Sequence, residues 1–299
     1  MPNTLEDRDW TILLRRIKEG KCTPFLGAGA CWGVLPLGSD IAQQWAQQYE
    51  YPMAYNTDLP RVAQYVAVQF DPMVPKEQIL EQFFRNAALP DFTAPDEPHS
   101  VLAHLPLPVY VTTNYDEFMV KALVHCNKNP KRELCRWNSA IRDHPSVFDS
   151  DPGYEPTPSN PVVFHLHGHS ERADSLVLTE DDYLDFLVNV SSNQNLLPHQ
   201  IQRALTGSSL LFVGYSLADI TFKVIFRGLV SATEASLRRV SITVQLPPAP
   251  INDPESTQVP AQKYLEAYFE RSDMRVYWGT AQEFCGELRR RWEEFFRDV

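Results

Sequence analysis

Four short stretches hold the residue types that chemistry draws on. In Gly27-Ala28-Gly29-Ala30-Cys31 the side chains are small, so backbone N–H groups there can approach a diphosphate. A tight turn between a strand and a helix explains the same residues. The usual dinucleotide fingerprint is incomplete, because Trp32 stands where its last glycine belongs. Glu50 lies at about the spacing of a ribose carboxylate, but it follows a helical segment, which weakens a dehydrogenase reading. Thr112-Thr113-Asn114-Tyr115-Asp116 brings an amide near a carboxylate. Asn114 can aim a water or hold a hydroxyl; either residue can also serve a turn or a helix cap. His165-Leu166-His167-Gly168-His169 sets three imidazoles at alternate positions. On a continuing strand they share one face, as a metal site requires. Gly168 is expected to break the strand, and no second ligand cluster is evident. A single His accepting a proton is the better reading, and no metal is expected. Gly214-Tyr215-Ser216-Leu217-Ala218-Asp219 resembles a nucleophile elbow with Ala218 in its last place. An α/β-hydrolase needs its His after the Ser, yet the last His is His199. That leaves a Gly–Ser turn, which can still bind a nucleotide.

Each stretch ends an apolar or β-branched run: Cys22–Leu26, Val109–Thr112, Val162–Leu166 and Leu210–Val213. Helical patterns separate these runs. Trp10, Leu13, Leu14 and Ile17 fall on one helical face, with Thr4 as cap and Gly20 as stop. Ser39 is expected to cap a helix carrying Ile41, Trp45 and Tyr49. Further helices are expected over 60–70, 75–87, 115–125 and 218–230, and over 181–190 behind Thr179. Residues 127–160 read as a long loop, Leu176–Leu178 as a short strand and 247–260 as a Pro-rich linker. Strands over 239–245 and 274–278 follow, then a capping box of Thr280 with Glu283. The alternation predicts an α/β fold: a Rossmann-like parallel sheet with helices on both faces and a helical insertion. In such sheets ligands bind beyond the carboxyl ends of the strands. The expected organisation is one domain over 1–246, with the insertion at about 51–105. Residues 247–299 are a linker and a helix-strand-helix that completes the domain or forms a subunit interface. Its last helix carries the stripe Phe284, Leu288, Trp292, Phe295 and Phe296, which fits either role.

Composition narrows the function classes. The 299 residues are 43% hydrophobic and 22% charged, an ordinary globular balance. The formal net charge is −11. Phosphate neutralisation dominates nucleic-acid affinity, so direct binding of DNA or RNA is not expected. The five cysteines form no C-x-x-C pair, so no structural zinc module is legible, and they suit reduced thiols in the cytoplasm. No apolar run approaches the roughly 20 residues needed to cross a bilayer, and no signal peptide is visible.

Taken together and in order, the four stretches resemble the sirtuin-like family, in particular its bacterial anti-phage defence branch. The resemblance spans residues from about 20 to 230, and the helix start Thr179-Glu180-Asp181-Asp182-Tyr183 shares it. It implies that Gly27, Ala28 and Gly29 bind the diphosphate of NAD. It implies a catalytic Asn at Asn114 and a catalytic His at His167. Gly214 and Ser216, with Asp219 beside them, match the turn that contacts the adenosine half. Asp116 is expected to orient Asn114 or to favour positive charge on the ribose. Deacylating members carry a zinc module, absent here, and a Gly-Ile-Pro-Asp-Phe-Arg segment. The corresponding Gly33-Val34-Leu35-Pro36-Leu37-Gly38-Ser39-Asp40 keeps little of it, with Asp40 standing in for the lost Asp or supporting the helix start. These departures favour hydrolysis of NAD, as substrate, to nicotinamide and ADP-ribose. The alternatives are an NAD-dependent protein deacylase and a non-catalytic nucleotide-sensing or scaffold module for an ATPase. An NAD hydrolase needs an off state, so control by self-assembly or a partner is expected. By resemblance, the partners are a HerA-type ATPase, a short Argonaute or a phage-derived activator.

Overall fold

A computed structural model describes residues 5–193, 196–215, 240–248, 254–271 and 273–297. Seven strands form one sheet: β1 Cys22–Leu26, β2 Val109–Thr112, β3 Lys131–Leu134, β4 Val162–His165, β5 Ser209–Val213, β6 Ser241–Gln245 and β7 Met274–Trp278. Their order is β3-β4-β2-β1-β5-β6-β7, and every pairing is parallel.

Strand side chains alternate between two faces, and both faces are covered. On one face, Tyr110, Val163, Leu211 and Val213 share a core with Trp10, Leu13, Leu14 and Ile17 of helix Asp7–Lys18. Phe284 and Leu288 of helix Ala281–Arg297 belong to the same core. Val109, Val111, Val162, Phe164, Leu210 and Phe212 turn the other way, against Phe186, Ile201, Leu205 and Phe269. Full burial of side chains of this size stabilises by about 1.5–3 kcal/mol each. The opposed cores therefore hold the sheet rigid beneath its carboxyl edge.

The helices between β1 and β2 build a third core from Ile41, Trp45, Val62, Ile79 and Leu80. Leu176 and Leu178 join it. Those residues were expected as a strand; they lie outside every strand, because their side chains fill the insertion core. The insertion also docks on the start of helix Glu180–Ser192. Lys76 Nζ lies 2.7 Å from Asp182, Arg61 lies 3.2 Å from Glu180, and Gln64 donates to Asp181 at 2.8 Å. Thr179 caps this helix as expected, in a capping box with Asp182.

Other expectations are corrected. The loop at 127–160 contains β3, an edge strand paired to β4, and two short helical turns. Its Lys-Arg-Glu-Leu sequence hides it, since a polar edge strand lacks an apolar run. Helix Pro254–Glu270 begins within the expected linker and accommodates Pro260. Glu6 caps the first helix, and Thr4 lies outside the described residues. The second helix starts at Gly38, ahead of the expected Ser39 cap. In the aromatic stripe, Phe284 and Leu288 are core residues, Trp292 and Phe295 pack partly against that core, and Phe296 stays exposed. No helix among the described residues is long and apolar enough to cross a membrane.

Candidate functional site

The four chemistry-bearing stretches follow β4, β2, β1 and β5, four adjacent strands running the same way. Their carboxyl ends therefore line one edge of the sheet. The order reverses between β1 and β5, the switch point where such sheets bind ligands.

At that point Gly27, Gly29 and Gly214 bring two backbones into contact. Gly214 has φ +69, and a Cβ there would lie 2.0 Å from the Ala30 nitrogen. A Cβ on Gly27 would lie 2.6 Å from the Gly214 oxygen. These glycines are required by packing whatever they bind. Their amides are engaged as well: Gly27 N–H donates to Val213 O at 3.0 Å, and Gly29 N–H to Gly214 O at 2.8 Å. Ala28 is the exposed residue of the turn. Ser216 and Asp219 lie outside the described residues. Asp40 is exposed and accepts from Leu37 N–H at 3.1 Å, so its carboxylate supports the helix start. Glu50 is exposed and follows that helix, away from any strand.

Asn114 is anchored at the end of β2. Its N–H donates to Thr112 Oγ1 at 3.0 Å, and its Nδ2 donates to Gly27 O at 3.0 Å and to Cys31 Sγ at 3.2 Å. Cys31 donates in turn to Asp116 Oδ2 at 3.2 Å. The other Asp116 oxygen accepts from Phe118 N–H at 2.8 Å. His99 Nε2 lies 3.9 Å from Cys31 Sγ, and its Nδ1 lies 2.7 Å from Glu97. Burial above all, then the Asp116 carboxylate, holds the Cys31 thiol well above its ordinary range. The sulfur therefore keeps its proton and can donate. The sequence reading missed Cys31, His99 and Glu97 as site residues. Only Cys31 carried a signal, its place directly after the glycine turn. Ligand-type atoms of Cys31, His99 and Asp116 all lie within 4.8 Å of one another, a spacing able to take a metal ion. The hydrogen bonds just described account for the cluster without one.

Of the three histidines at and beyond the end of β4, His165 and His169 have ring centroids 4.8 Å apart, while His167 points elsewhere. His165 Nδ1 lies 3.3 Å from Asn114 O and braces that backbone. His169 contacts Glu117, and Arg132 ties Glu117 to Glu171 with two 2.6 Å bonds. His167 lies among aromatic rings, with centroids 5.4 Å from Tyr183 and 4.9 Å from Phe186. It is 2% exposed, and its Nε2 is buried without a hydrogen-bond partner. Burial pushes its pKa down to about 3 and that of His165 to about 4. Both rings are therefore neutral at pH 7. Gly168 follows at φ +92, where a Cβ would lie 2.3 Å from Ser175 O; the strand it was expected to break ends three residues earlier, at His165.

Asn114 and Asp116 thus meet through Cys31, and the Asn114 amide reaches the glycine turn. His167 occupies its own pocket at the end of the neighbouring strand. The arrangement offers a fixed carboxamide beside a tight turn, with a neutral imidazole beyond the end of the neighbouring strand.

A family model for the SIR2-like domain matches residues 108–272, more than half of the chain. The match takes in Asn114, His167 and Gly214 and leaves out the turn at Gly27. The chain is 28% identical over 208 residues to the NAD(+) hydrolase ThsA of Cytobacillus dafuensis, covering 69% of this chain and 37% of that protein. It is 26% identical over 228 residues to the NAD(+) hydrolase ThsA of Bacillus cereus (strain MSX-D12), covering 75% and 43% respectively. An NAD(+) hydrolase ThsA of Enterococcus faecium is 23% identical over 218 residues. The chain spans about two fifths of the length of the curated relatives it matches.

Proposed function

Because the chain belongs to the SIR2-like family, we propose that it hydrolyses NAD to nicotinamide and ADP-ribose. The observation that carries this reading is the anchoring of Asn114 beside the glycine turn at the switch point. The names of the relatives support it from outside the geometry.

The chemistry asks little of the protein. Nicotinamide leaves NAD as a neutral molecule, so no acid is needed. The barrier lies in the positive charge that develops on the ribose. Water adds to the anomeric carbon as the carbon–nitrogen bond breaks, and one proton is released. Asn114 holds the water or a ribose hydroxyl. His167, neutral at pH 7, has a lone pair free to take the proton. Asp116 acts through Cys31 on Asn114. The turn at Gly27, Ala28 and Gly29 holds the diphosphate, with Ala28 as its exposed member. Gly214, Ser216 and Asp219 take the adenosine half. Asp40 is assigned to its helix start.

The biological setting proposed is depletion of NAD in anti-phage defence, in the cytoplasm, under control of self-assembly or of a partner. The partner classes are a HerA-type ATPase, a short Argonaute or a phage-derived activator.

The test is nicotinamide release from NAD by the purified chain, with Asn114→Ala and His167→Ala beside it. Release without peptide, with both variants reduced by about 10²–10⁴-fold, supports the hydrolase. Release only with an acyl-lysine peptide would instead establish a deacylase. NAD binding without cleavage, alone and with each partner class, would leave a sensing or scaffold module.

A further inference from the structure

We propose that Cys31 is a positioning residue that decides which end of the Asn114 carboxamide faces the substrate. The kinetic part of this inference rests on the NAD-hydrolase reading; the geometric part does not.

The Asn114 amide nitrogen has two hydrogens, and both are engaged. One goes to Gly27 O at 3.0 Å and the other to Cys31 Sγ at 3.2 Å. The opposite flip would set Oδ1 against a carbonyl oxygen and against a sulfur whose proton points elsewhere. That proton goes to Asp116 Oδ2 at 3.2 Å, and Asp116 is held in turn by Phe118 N–H at 2.8 Å. His99 closes the far side of the sulfur. Its Nδ1 lies 2.7 Å from Glu97 and its Nε2 3.9 Å from Cys31 Sγ. Asn114 is the close donor to the sulfur, at 3.2 Å. Cys31, His99, Glu97 and Asp116 are all buried, so solvent does not replace these partners.

The consequence is specific. The Asn114 Oδ1 is the end left for the substrate, since no described residue donates to it. Asn114 therefore works as an acceptor. It takes a hydrogen bond from the attacking water or from a ribose hydroxyl, and it does not donate to either. A water held this way presents its oxygen lone pairs to the anomeric carbon.

Three variants and one double variant test this on the full chain: Cys31→Ala, Cys31→Ser, Asn114→Ala, and Cys31→Ala with Asn114→Ala. In Cys31→Ala, kcat should fall by about 10-fold with KM little changed, the loss of one hydrogen bond that orients the amide. Cys31→Ser keeps a donor and an acceptor and should recover most of that loss. In the Asn114→Ala background, Cys31→Ala should have no further effect. Additive losses, or a serine no better than alanine, would overturn the proposal. A substrate-free readout separates it from the function itself. The Asn114 side-chain amide protons, assigned by their absence in Asn114→Ala, should exchange slowly in the parental protein and faster in Cys31→Ala. Unchanged exchange overturns the positioning role. Changed exchange in a protein that never cleaves NAD overturns only the hydrolase reading. Zinc found in the purified protein at one per chain, and lost in Cys31→Ala, would replace the hydrogen-bonded cluster with a metal site.

Discussion

The ends of β2 and β4 lie side by side and keep their polar atoms in opposite ways. Around Asn114 the donors meet acceptors: the amide reaches Gly27 and Cys31, the thiol reaches Asp116, and Glu97 holds His99. Around His167 the neighbours are the rings of Tyr183 and Phe186, and Nε2 has no partner. Burial does different work in the two places. In the first it protects a hydrogen-bond network and so fixes an orientation. In the second it desolvates an imidazole and so fixes a protonation state.

The strongest way to sharpen this contrast is His167→Phe. Phenylalanine suits the aromatic pocket and removes the orphaned nitrogen. Turnover of NAD should fall by about 10²–10⁴-fold, while the melting temperature holds or rises. A melting temperature that collapses would show that the ring is braced by polar contacts after all.

Acid provides the next test. An unfolded histidine titrates near 6.5, while burial holds folded His165 and His167 at about 4 and about 3. The unfolded chain therefore binds more protons as pH falls below 6.5. Stability contributed by the neutral rings is present above that value and is lost progressively down to the folded values. Between pH 6.5 and 5 the loss should be about 1.5 kcal/mol for each ring. Urea unfolding at the two pH values measures it, and His167→Phe should remove its share. An unchanged slope in that variant would mean that His167 is not held neutral by burial. The acid limb of the activity profile should likewise lie well below pH 6.5.

The smallest effect separates the pockets by sign. Asn114→Ala leaves Gly27 O and Cys31 without their donor and should cost about 1–2 kcal/mol in chemical denaturation. His167→Phe should cost nothing on the same scale. If Asn114→Ala is as stable as the parent, the carboxamide is not the keystone of its network.

The parallel sheet and the four candidate strand ends were legible because their signals are local. Val109–Thr112 and Leu210–Val213 are short β-branched or apolar runs, and Gly214 turns the chain after the second. The capping box at Thr179 was legible for the same reason. Strand β3 was not, since Lys131-Arg132-Glu133-Leu134 owes its place to pairing with β4 and has no apolar run of its own. Cys31 and His99 stand 68 positions apart, and Cys31 and Asp116 stand 85 apart. No spacing rule connects such residues. They meet because β1 and β2 are adjacent and because Glu97 caps a helix beside them.

Residue types and their local periodicity were enough to set six of the seven strands, several of the helices and the four stretches able to do chemistry. Tertiary structure alone decided how those stretches are used. It turned the glycines into a joint between β1 and β5, gave Asn114 its orientation and kept His167 neutral. The physical reason is range. Propensity, capping and turn chemistry act over a few residues, whereas desolvation and hydrogen-bond pairing depend on whatever the fold brings within a few ångströms.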